Sequence, residues 1–394
     1  MRVLLFTGKG GVGKTTTALA TAALAASRGA KALVVSTDPA HSLADALGVP
    51  LGDRPVEVDT GLSVLQVEGQ AAFERSWREV QDYLRAVLER AGVDALQADE
   101  LTVLPGAEEV LALLEVRRQV DSGRYDLVVV DCAPTGETLR LLSLPAALTW
   151  YVEKVFPAQR RALRAVRPLL SRVAGPTVPQ EGVFEAVARL HRELTAVRDL
   201  LTGPDAFVRV VLTPEAVVVA EARRTLTSLA LYGYRVDAVI ANRLLPASDD
   251  PWLSGWVAAQ AEQLAAVRAD TAPLPLHVAP YAAAEPVGIE ALVAFGRQLY
   301  GAADPLAAPS DGGELLTVQR DSDGFLLSLA LPLARIQDVQ LARHEDDLVV
   351  TVAGHRRLVS LPSALRRCTV AGARLVEGRL VVRFEPDPDL WPLP

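Results

Sequence analysis

A glycine-rich loop near the N-terminus contains the residue types that bind phosphate. Residues 8–15 read GKGGVGKT and fit the pattern GxxxxGK[ST]. The apolar run 2–7 predicts a buried strand before the loop, and the Ala- and Thr-rich stretch 15–27 predicts a helix after it. Backbone amides of such a loop bind phosphate oxygens, while Lys14 supplies positive charge and the Thr15 hydroxyl can bind Mg²⁺. The predicted phosphate-contacting residues are Gly8, Lys9, Gly10, Gly11, Val12, Gly13, Lys14, Thr15 and Thr16.

The second lysine of this loop, Lys9, occupies a position that the general pattern leaves open. The chain has 40 Lys and Arg residues, of which only four are lysines, and two of these four lie in one octapeptide. A solvated surface lysine is one interpretation of Lys9. The alternative is that the site needs a second compact ammonium group, which the guanidinium fork of an arginine does not replace.

Two aspartates at the ends of apolar runs could complete the chemistry. Asp131 ends the apolar run 126–131. A carboxylate at the end of such a strand can lie near Mg²⁺ or a water bound to it. Gly136, a few residues further on, can offer its backbone N–H to the γ-phosphate. Asp38 follows the run 32–37, where a carboxylate can orient an attacking water, although it could equally cap a helix. Spacing alone leaves these two readings of Asp38 open.

The order of the predicted elements indicates an α/β fold. Further apolar strands at 62–67, 207–212, 236–241 and 275–279 alternate with helical patterns, which predicts a mostly parallel, doubly wound sheet. A helical subdomain is predicted within 70–123 and 145–203. A Pro-, Gly- and Asp-rich linker follows at 301–313. Short alternating strands at 324–331, 347–353, 356–361 and 379–384 predict a separate all-β domain over 314–394.

The composition excludes several classes of protein. The net charge of −8 argues against a nucleic-acid-binding surface, which would need a basic stripe. No uncharged apolar run approaches the roughly 20 residues that span a bilayer, and the N-terminus does not resemble a signal peptide. The two cysteines, Cys132 and Cys368, cannot form a four-thiolate zinc site, so no zinc is expected. The expected compartment is a reducing cytoplasm.

Several ordered motifs over residues 1–300 resemble one family of ATPases. GKGGVGKT is similar to the deviant phosphate loops of the superfamily that includes the arsenical-pump ATPases. STDPAHS at 36–42 and DCAPTGETLRLL at 131–142 resemble the switch segments of the arsenical-pump and tail-anchored-protein-targeting ATPases. LPGAEE at 104–109, Pro214-Glu215, NRLL at 242–245 and PYAAAEPVG at 280–288 follow in the family's order.

This resemblance implies roles for individual residues. Asp38 matches the aspartate that positions the catalytic water, and Lys9 matches a lysine that reaches the nucleotide of a partner subunit. Glu215 matches a nucleotide-contacting glutamate, and Asn242 matches an asparagine that reads the adenine edge, which implies ATP as substrate. With one loop per chain, the in-trans lysine implies a homodimer.

Departures from the family motifs narrow the expected function. Arsenical pumps hold a soft metalloid with thiolates and a histidine, whereas Glu137 stands where those pumps have histidine and the chain has no clustered cysteines. The zinc-binding CxxC of eukaryotic targeting factors is absent after Asn242. Their client groove is rich in methionine, but Met1 is the only methionine here.

The C-terminal region resembles an α-crystallin (small heat-shock protein) domain. The marks are Gly324-Phe325, Leu331-Pro332, DLVV at 347–350, Leu361-Pro362 and the Gly378-x-Leu380 pattern. Such a domain implies contact with exposed apolar polypeptide; an unrelated β-sandwich used for docking is the alternative.

These observations predict a homodimeric, Mg²⁺-dependent ATPase whose nucleotide state controls the binding of a hydrophobic polypeptide client, as a targeting factor or chaperone does. Two other functions stay open. One is the motor of a metalloid efflux pump, and the other is a scaffold in which ATP acts as a slow switch.

Overall fold

The computed structural model describes residues 1–37, 42–52, 54–67, 107–132, 181–307 and 314–391. Strands of the first domain are β1 (Arg2–Thr7), β2 (Ala32–Ser36), β3 (Val56–Asp59), β4 (Leu62–Gln66), β5 (Leu127–Asp131), β6 (Ala206–Leu212), β7 (Val236–Leu244) and β8 (Leu276–Pro280). Helices of this domain are α1 (Lys14–Ser27), α2 (Ser42–Leu47), α3 (Ala107–Asp121), α4 (Glu181–Leu201), α5 (Ala216–Tyr232), α6 (Pro251–Thr271) and α7 (Ile289–Tyr300).

The central sheet has the order β3-β4-β2-β5-β1-β6-β7-β8 within the described residues. Every neighbouring pair is parallel except β3 and β4. The inner strands are buried over their full length, as continuous apolar runs with helices on both faces should be. The predicted α/β class and doubly wound sheet are confirmed. The edge strand β3 was missed because most of its residues are exposed and carry no apolar run.

A buried polar cluster ties the helix of the phosphate loop to the end of the first domain. Arg209 on β6 donates to the carboxylate of Asp237 at 2.9 Å and to the Tyr300 hydroxyl at 2.8 Å. The Tyr300 hydroxyl also lies 2.7 Å from that of Thr21 on α1. A further bond from Arg209, to the Pro305 carbonyl, fixes the segment that follows α7. Because paired guanidinium and carboxylate groups tolerate burial, this cluster can connect three layers of the fold.

The C-terminal domain is a two-sheet antiparallel sandwich, as predicted. Its strands are β9 (Leu316–Asp321), β10 (Gly324–Ala330), β11 (Val339–His344), β12 (Asp347–Val352), β13 (His355–Ser360), β14 (Cys368–Val376) and β15 (Arg379–Pro386), with the short helix α8 (Ser363–Arg366). The sheets have the orders β14-β15-β10-β9 and β11-β12-β13 in the described region. Strands β9, β11 and β14 were not predicted, because they are mostly exposed edge strands without a clear alternation of apolar and polar residues.

Helix α5 connects the two domains through buried contacts. Leu231, near its C-terminal end, is fully buried in the apolar core of the sandwich. The Thr227 hydroxyl donates to the Pro332 carbonyl at 2.6 Å. The guanidinium of Arg357 on β13 donates to the Leu231 carbonyl. The sandwich therefore packs directly on a helix of the nucleotide-binding domain.

The helical subdomain was predicted from two intervals, of which the structure describes only the ends. Helices α3 and α4 lie at those ends, and the segments 68–106 and 133–180 lie outside the described residues. Among the helices in the described ranges, none has the length and apolar character needed to cross a membrane.

Candidate nucleotide-binding site

The carboxyl edge of the central sheet brings most of the predicted site residues together. The phosphate loop follows β1, and the neighbouring strand β5 ends at Asp131, which pairs in register with Phe6. β7 carries Asn242 close to its carboxyl end. Ligands of open parallel sheets bind at this edge, where the strands deliver loops from several directions.

The first turn of α1 contacts the end of β5 through one polar hydrogen bond. The Thr15 hydroxyl donates to Oδ2 of Asp131 at 2.7 Å, and Asp131 is completely buried. Lys14 is also buried, and its ammonium donates to the Lys9 carbonyl at 3.4 Å. The Lys14 side chain therefore folds back over the backbone of the loop, as expected of a phosphate-binding lysine.

Close approach of the backbone explains two of the glycines in the loop. Gly13, the residue before α1, has φ of +91°, and a methyl group on its Cα would lie 2.3 Å from Nδ2 of Asn242. A methyl group on Gly8 would lie 2.1 Å from the Val211 carbonyl on β6. Asn242 donates from the same Nδ2 to the Val12 carbonyl at 2.9 Å. The loop thus fits against β6 at Gly8 and against β7 at Gly13 only without side chains at these positions.

A cavity of about 310 Å³ opens between the phosphate loop and the carboxyl ends of β7 and β8. Its volume lies at the lower end of the roughly 300–1,000 Å³ typical of small-molecule sites. It is lined by Gly13, Thr16, Asn242, Arg243, Pro280, Tyr281, Ala282, Ala284, Glu285, Pro286 and Phe295. The structure therefore brings Asn242 and the predicted adenine loop, 280–288, to one cavity beside the phosphate loop.

Other predicted residues lie at or beyond the margin of this arrangement. Lys9 is partly exposed, and Gly10 and Gly11 are exposed at the tip of the loop, where a methyl group would meet no neighbour. Glu215 is exposed immediately before α5 and does not line the cavity. Asp38 and Gly136 lie outside the described residues, so their roles stay predictions.

Comparison with known proteins identifies the family. The sequence model of the anion-transporting ATPases matches residues 1–301. The chain belongs to this family. A second model, of the HSP20-like domain found in ArsA proteins, matches residues 322–384, so the predicted resemblances of both regions are confirmed.

Relatives of this ATPase include proteins named as arsenical pump-driving ATPases and a protein named as the ATPase GET3. A putative arsenical pump-driving ATPase of Chlorobaculum tepidum is 36% identical over 370 residues, covering 93% of this chain and 91% of the relative. One from Aquifex aeolicus is 32% identical over 394 residues, covering 97% and 99% of the two chains. The ATPase GET3 of Clavispora lusitaniae is 32% identical over 262 residues, covering 62% of this chain and 73% of that one. The predicted ATPase activity is confirmed at the level of the family.

The oxygen atoms of the ATPase site have the chemistry that Mg²⁺ prefers. Thr15 and Asp131 offer a hydroxyl and a carboxylate 2.7 Å apart at the loop. Among the residues that the structure describes, no group of three or more His, Cys, Asp or Glu side chains could hold a metal. Because Mg²⁺ is usually held by one or two protein oxygens together with substrate phosphates and water, this small donor set fits the ion.

The two cysteines of the ATPase are separate and buried. Cys132 follows β5 in the first domain, and Cys368 begins β14 in the second. Burial raises the pKa of the Cys132 thiol, and the neighbouring Asp131 charge adds to the effect. Burial also raises the pKa of the Cys368 thiol. The two thiols lie in the cores of different domains, so they do not form a common thiolate site.

Two features of the cavity were not predicted from the sequence: the contribution of Phe295 and the contact between Arg243 and Tyr281. Phe295, buried on α7, lines it, but in the sequence it is one of several apolar residues of an amphipathic helix. The guanidinium of Arg243 lies over the ring of Tyr281 at 5.8 Å. An Arg after the predicted Asn and a Tyr in the predicted adenine loop were both visible, but only the fold places them in contact.

Proposed function

We propose that this ATPase is an Mg²⁺-dependent homodimer that couples its nucleotide state to the binding of a hydrophobic polypeptide. The observation that carries the proposal is the path of α5. This helix begins after Glu215, at the nucleotide edge of the sheet, and its other end buries Leu231 in the core of the HSP20-like domain. A packed helix moves as a unit, so displacement at its nucleotide end would reach the second domain.

The residues of the site divide the work of hydrolysis. Lys14 would neutralise phosphate charge, Thr15 would hold the metal through its hydroxyl, and Asp131 would hold it through water. Mg²⁺, when bound, withdraws charge from the phosphates. Asp38 orients the attacking water. We expect Asp38→Asn to retain ATP affinity, measured by equilibrium binding, and to lose turnover. Retained turnover would exclude Asp38 as the water-positioning residue.

The proposed dimer rests on Lys9. Its side chain is partly exposed and its carbonyl, not its ammonium, receives the bond from Lys14. A partly exposed ammonium group at the phosphate loop could extend to the nucleotide of a facing subunit. We expect Lys9→Ala to abolish nucleotide-dependent dimer closure, seen by light scattering with a transition-state analogue. Lys31→Ala is the matched control, because Lys31 is exposed before β2, at the opposite edge of the sheet.

Polypeptide binding is favoured over metalloid transport by the burial and the separation of the two cysteines. Although several relatives are named putative arsenical pump-driving ATPases, Cys132 and Cys368 are buried and lie in the cores of different domains. We expect arsenite to leave the ATPase rate unchanged. Arsenite stimulation that disappears in a Cys132→Ser, Cys368→Ser double variant would replace this proposal with metalloid transport.

Client binding can be measured with a defined probe. A fluorescent peptide containing one apolar helix of about 20 residues should change anisotropy on binding, with different affinities in the ADP and ATP states of Asp38→Asn. Equal affinities in the two states would mean that the nucleotide state does not control client binding. Turnover far below roughly 10⁻³ s⁻¹ would instead favour a slow ATP switch.

A further inference from the structure

One buried polar residue on α6 is positioned to control the base end of the cavity. Most of α6 is exposed, and its buried side chains are Gln260, Val267 and Thr271. Gln260 is only 7% exposed. Burying a carboxamide costs free energy unless both its oxygen and its nitrogen form hydrogen bonds.

Both ends of the Gln260 amide bind the backbone just after Asn242. Its Oε1 accepts from the Leu245 amide at 2.8 Å, and its Nε2 donates to the Arg243 carbonyl at 3.2 Å. Between them the chain passes through an unusual conformation, because Arg243 has φ of +60°. A left-handed residue with a side chain costs roughly 1–2 kcal/mol. The two hydrogen bonds offset that cost and fix the conformation.

This held segment forms one wall of the cavity. The Arg243 amide donates to Oδ1 of Asn242 at 2.9 Å, which orients the Asn242 carboxamide from its own backbone. The Leu244 carbonyl accepts from the Tyr281 amide at 2.7 Å, which attaches the loop 280–288 to the same segment. A change at Gln260 would therefore displace Asn242 and Tyr281 together. Of the phosphate-loop hydrogen bonds described above, only the one from Asn242 to the Val12 carbonyl would be affected. The bond from Thr15 to Asp131 and the bond from Lys14 to the Lys9 carbonyl do not involve this segment.

We propose that Gln260 is a positioning residue that sets recognition of the nucleotide base. The proposal rests on the predicted role of Asn242 as the base reader, and it goes beyond that role by assigning its geometry to a residue that does not line the cavity. Gln260 holds Asn242 and Arg243 in place, and its loss weakens binding of the base without weakening binding of the phosphates.

The Gln260→Glu variant tests this proposal, because the hydrogen bonds that it loses at high pH can be restored by protonation at lower pH. An ionised glutamate keeps the bond to the Leu245 amide but presents an oxygen to the Arg243 carbonyl, so one hydrogen bond becomes a repulsion. We expect ATP affinity at pH 8 to fall by about tenfold, the effect of losing about 1.4 kcal/mol of hydrogen bonding. Affinity for inorganic tripolyphosphate and the turnover at saturating ATP should stay within about twofold, and the preference for ATP over GTP should shrink.

Lowering the pH should restore the wild-type behaviour. A protonated carboxyl has one donor and one acceptor, as the amide does, and burial beside a carbonyl raises the pKa of the acid. ATP affinity of Gln260→Glu should therefore recover between about pH 8 and pH 6. Gln263→Glu, which adds the same charge at a partly exposed position of α6, is the control and should not change.

Three results would overturn the inference. Equal losses for ATP and tripolyphosphate would mean that Gln260 only stabilises the fold. A loss of ATP affinity that does not recover at low pH would exclude the hydrogen-bond pattern as its cause. If Asn242→Ala changes the preference for ATP over GTP and Gln260→Glu does not, the role of Gln260 is wrong but Asn242 still reads the base. If neither variant changes the preference, the base-reading role of Asn242 is wrong as well.

Discussion

The Thr15 hydroxyl donates its proton to Oδ2 of the buried Asp131 at 2.7 Å, which joins the first turn of α1 to the end of β5. A threonine hydroxyl can donate to a carboxylate and can also bind a metal through its oxygen atom. The carboxylate, in turn, gains a partner that offsets its burial. The pair therefore offers two neighbouring oxygen atoms of the kind that Mg²⁺ prefers.

Replacing Thr15 tests this relationship without changing the shape of the loop. Thr15→Val replaces the hydroxyl with a methyl group of similar size, and we expect the Mg²⁺ concentration for half-maximal ATPase activity to rise by about 10- to 100-fold. Thr15→Ser keeps the hydroxyl and should stay near wild type. Titration of the ATPase rate with Mg²⁺ at saturating ATP checks both. Similar titrations for the serine and valine variants would contradict a direct role of the hydroxyl.

Two glycines of the phosphate loop allow backbone strain to be separated from steric conflict. Gly11 and Gly13 both have positive φ, +80° and +91°, but only Gly13 lies against a neighbour, Nδ2 of Asn242. Gly11→Ala should cost about 1 kcal/mol of unfolding free energy from the left-handed conformation alone. Gly13→Ala should cost about 1–3 kcal/mol more, because Asn242 must move. Urea denaturation measures the difference.

The same clash predicts non-additivity between Gly13 and Asn242. In the double variant Gly13→Ala, Asn242→Ala, the shortened side chain at 242 removes the conflict. The loss of stability should then be smaller than the sum of the two single losses by at least about 0.5 kcal/mol. Additive losses would show that the loop accommodates the methyl group in another way.

The sequence allowed the central sheet and the phosphate loop to be predicted because their signals are local. The buried strands β1, β2 and β5 are continuous apolar runs, and the loop has fixed residue types at fixed spacing. The exposed edge strands β3 and β14 have no such signal, since their pairing partners and not their own residues define them.

Contacts over long sequence separations could not be predicted in this way. Asn242 was expected near the nucleotide, but its bond to the Val12 carbonyl spans 230 positions of the chain. Gln260 reads as an ordinary polar residue of an Ala-rich helix until the fold turns it toward Leu245. Leu231 reads as core of the first domain, whereas it belongs to the core of the second.

Two leucines on α5 test how the domains are joined. Leu229 and Leu231 are both fully buried, but Leu229 packs in the core of the sheet domain and Leu231 in that of the sandwich. Each change to alanine should cost about 2–5 kcal/mol. Hydrogen exchange should locate the loss: Leu231→Ala should raise exchange mainly over 324–384, and Leu229→Ala mainly over the sheet domain. Matching exchange patterns would show that the chain unfolds as one unit.

The histidines His277 and His355 predict a loss of stability in weak acid. His277 lies edge-on to the Tyr300 ring at a centroid distance of 4.8 Å. Burial lowers its pKa, the Arg209 charge lowers it further, and Asp237 opposes the effect. Burial also lowers the pKa of His355, which lies edge-on to Tyr232 at the domain boundary.

A lowered pKa in the folded state means that the unfolded chain binds more protons just below the ordinary histidine value of about 6.5. The free energy of unfolding should therefore fall as the pH drops from about 7.5 to 5.5. His277→Phe keeps a ring against Tyr300 without a titrating group, so its stability should depend less on pH than that of the wild type. Adding His355→Phe should flatten the dependence further. Urea denaturation at several pH values measures these slopes, and parallel curves for all three proteins would assign the acid sensitivity to other groups.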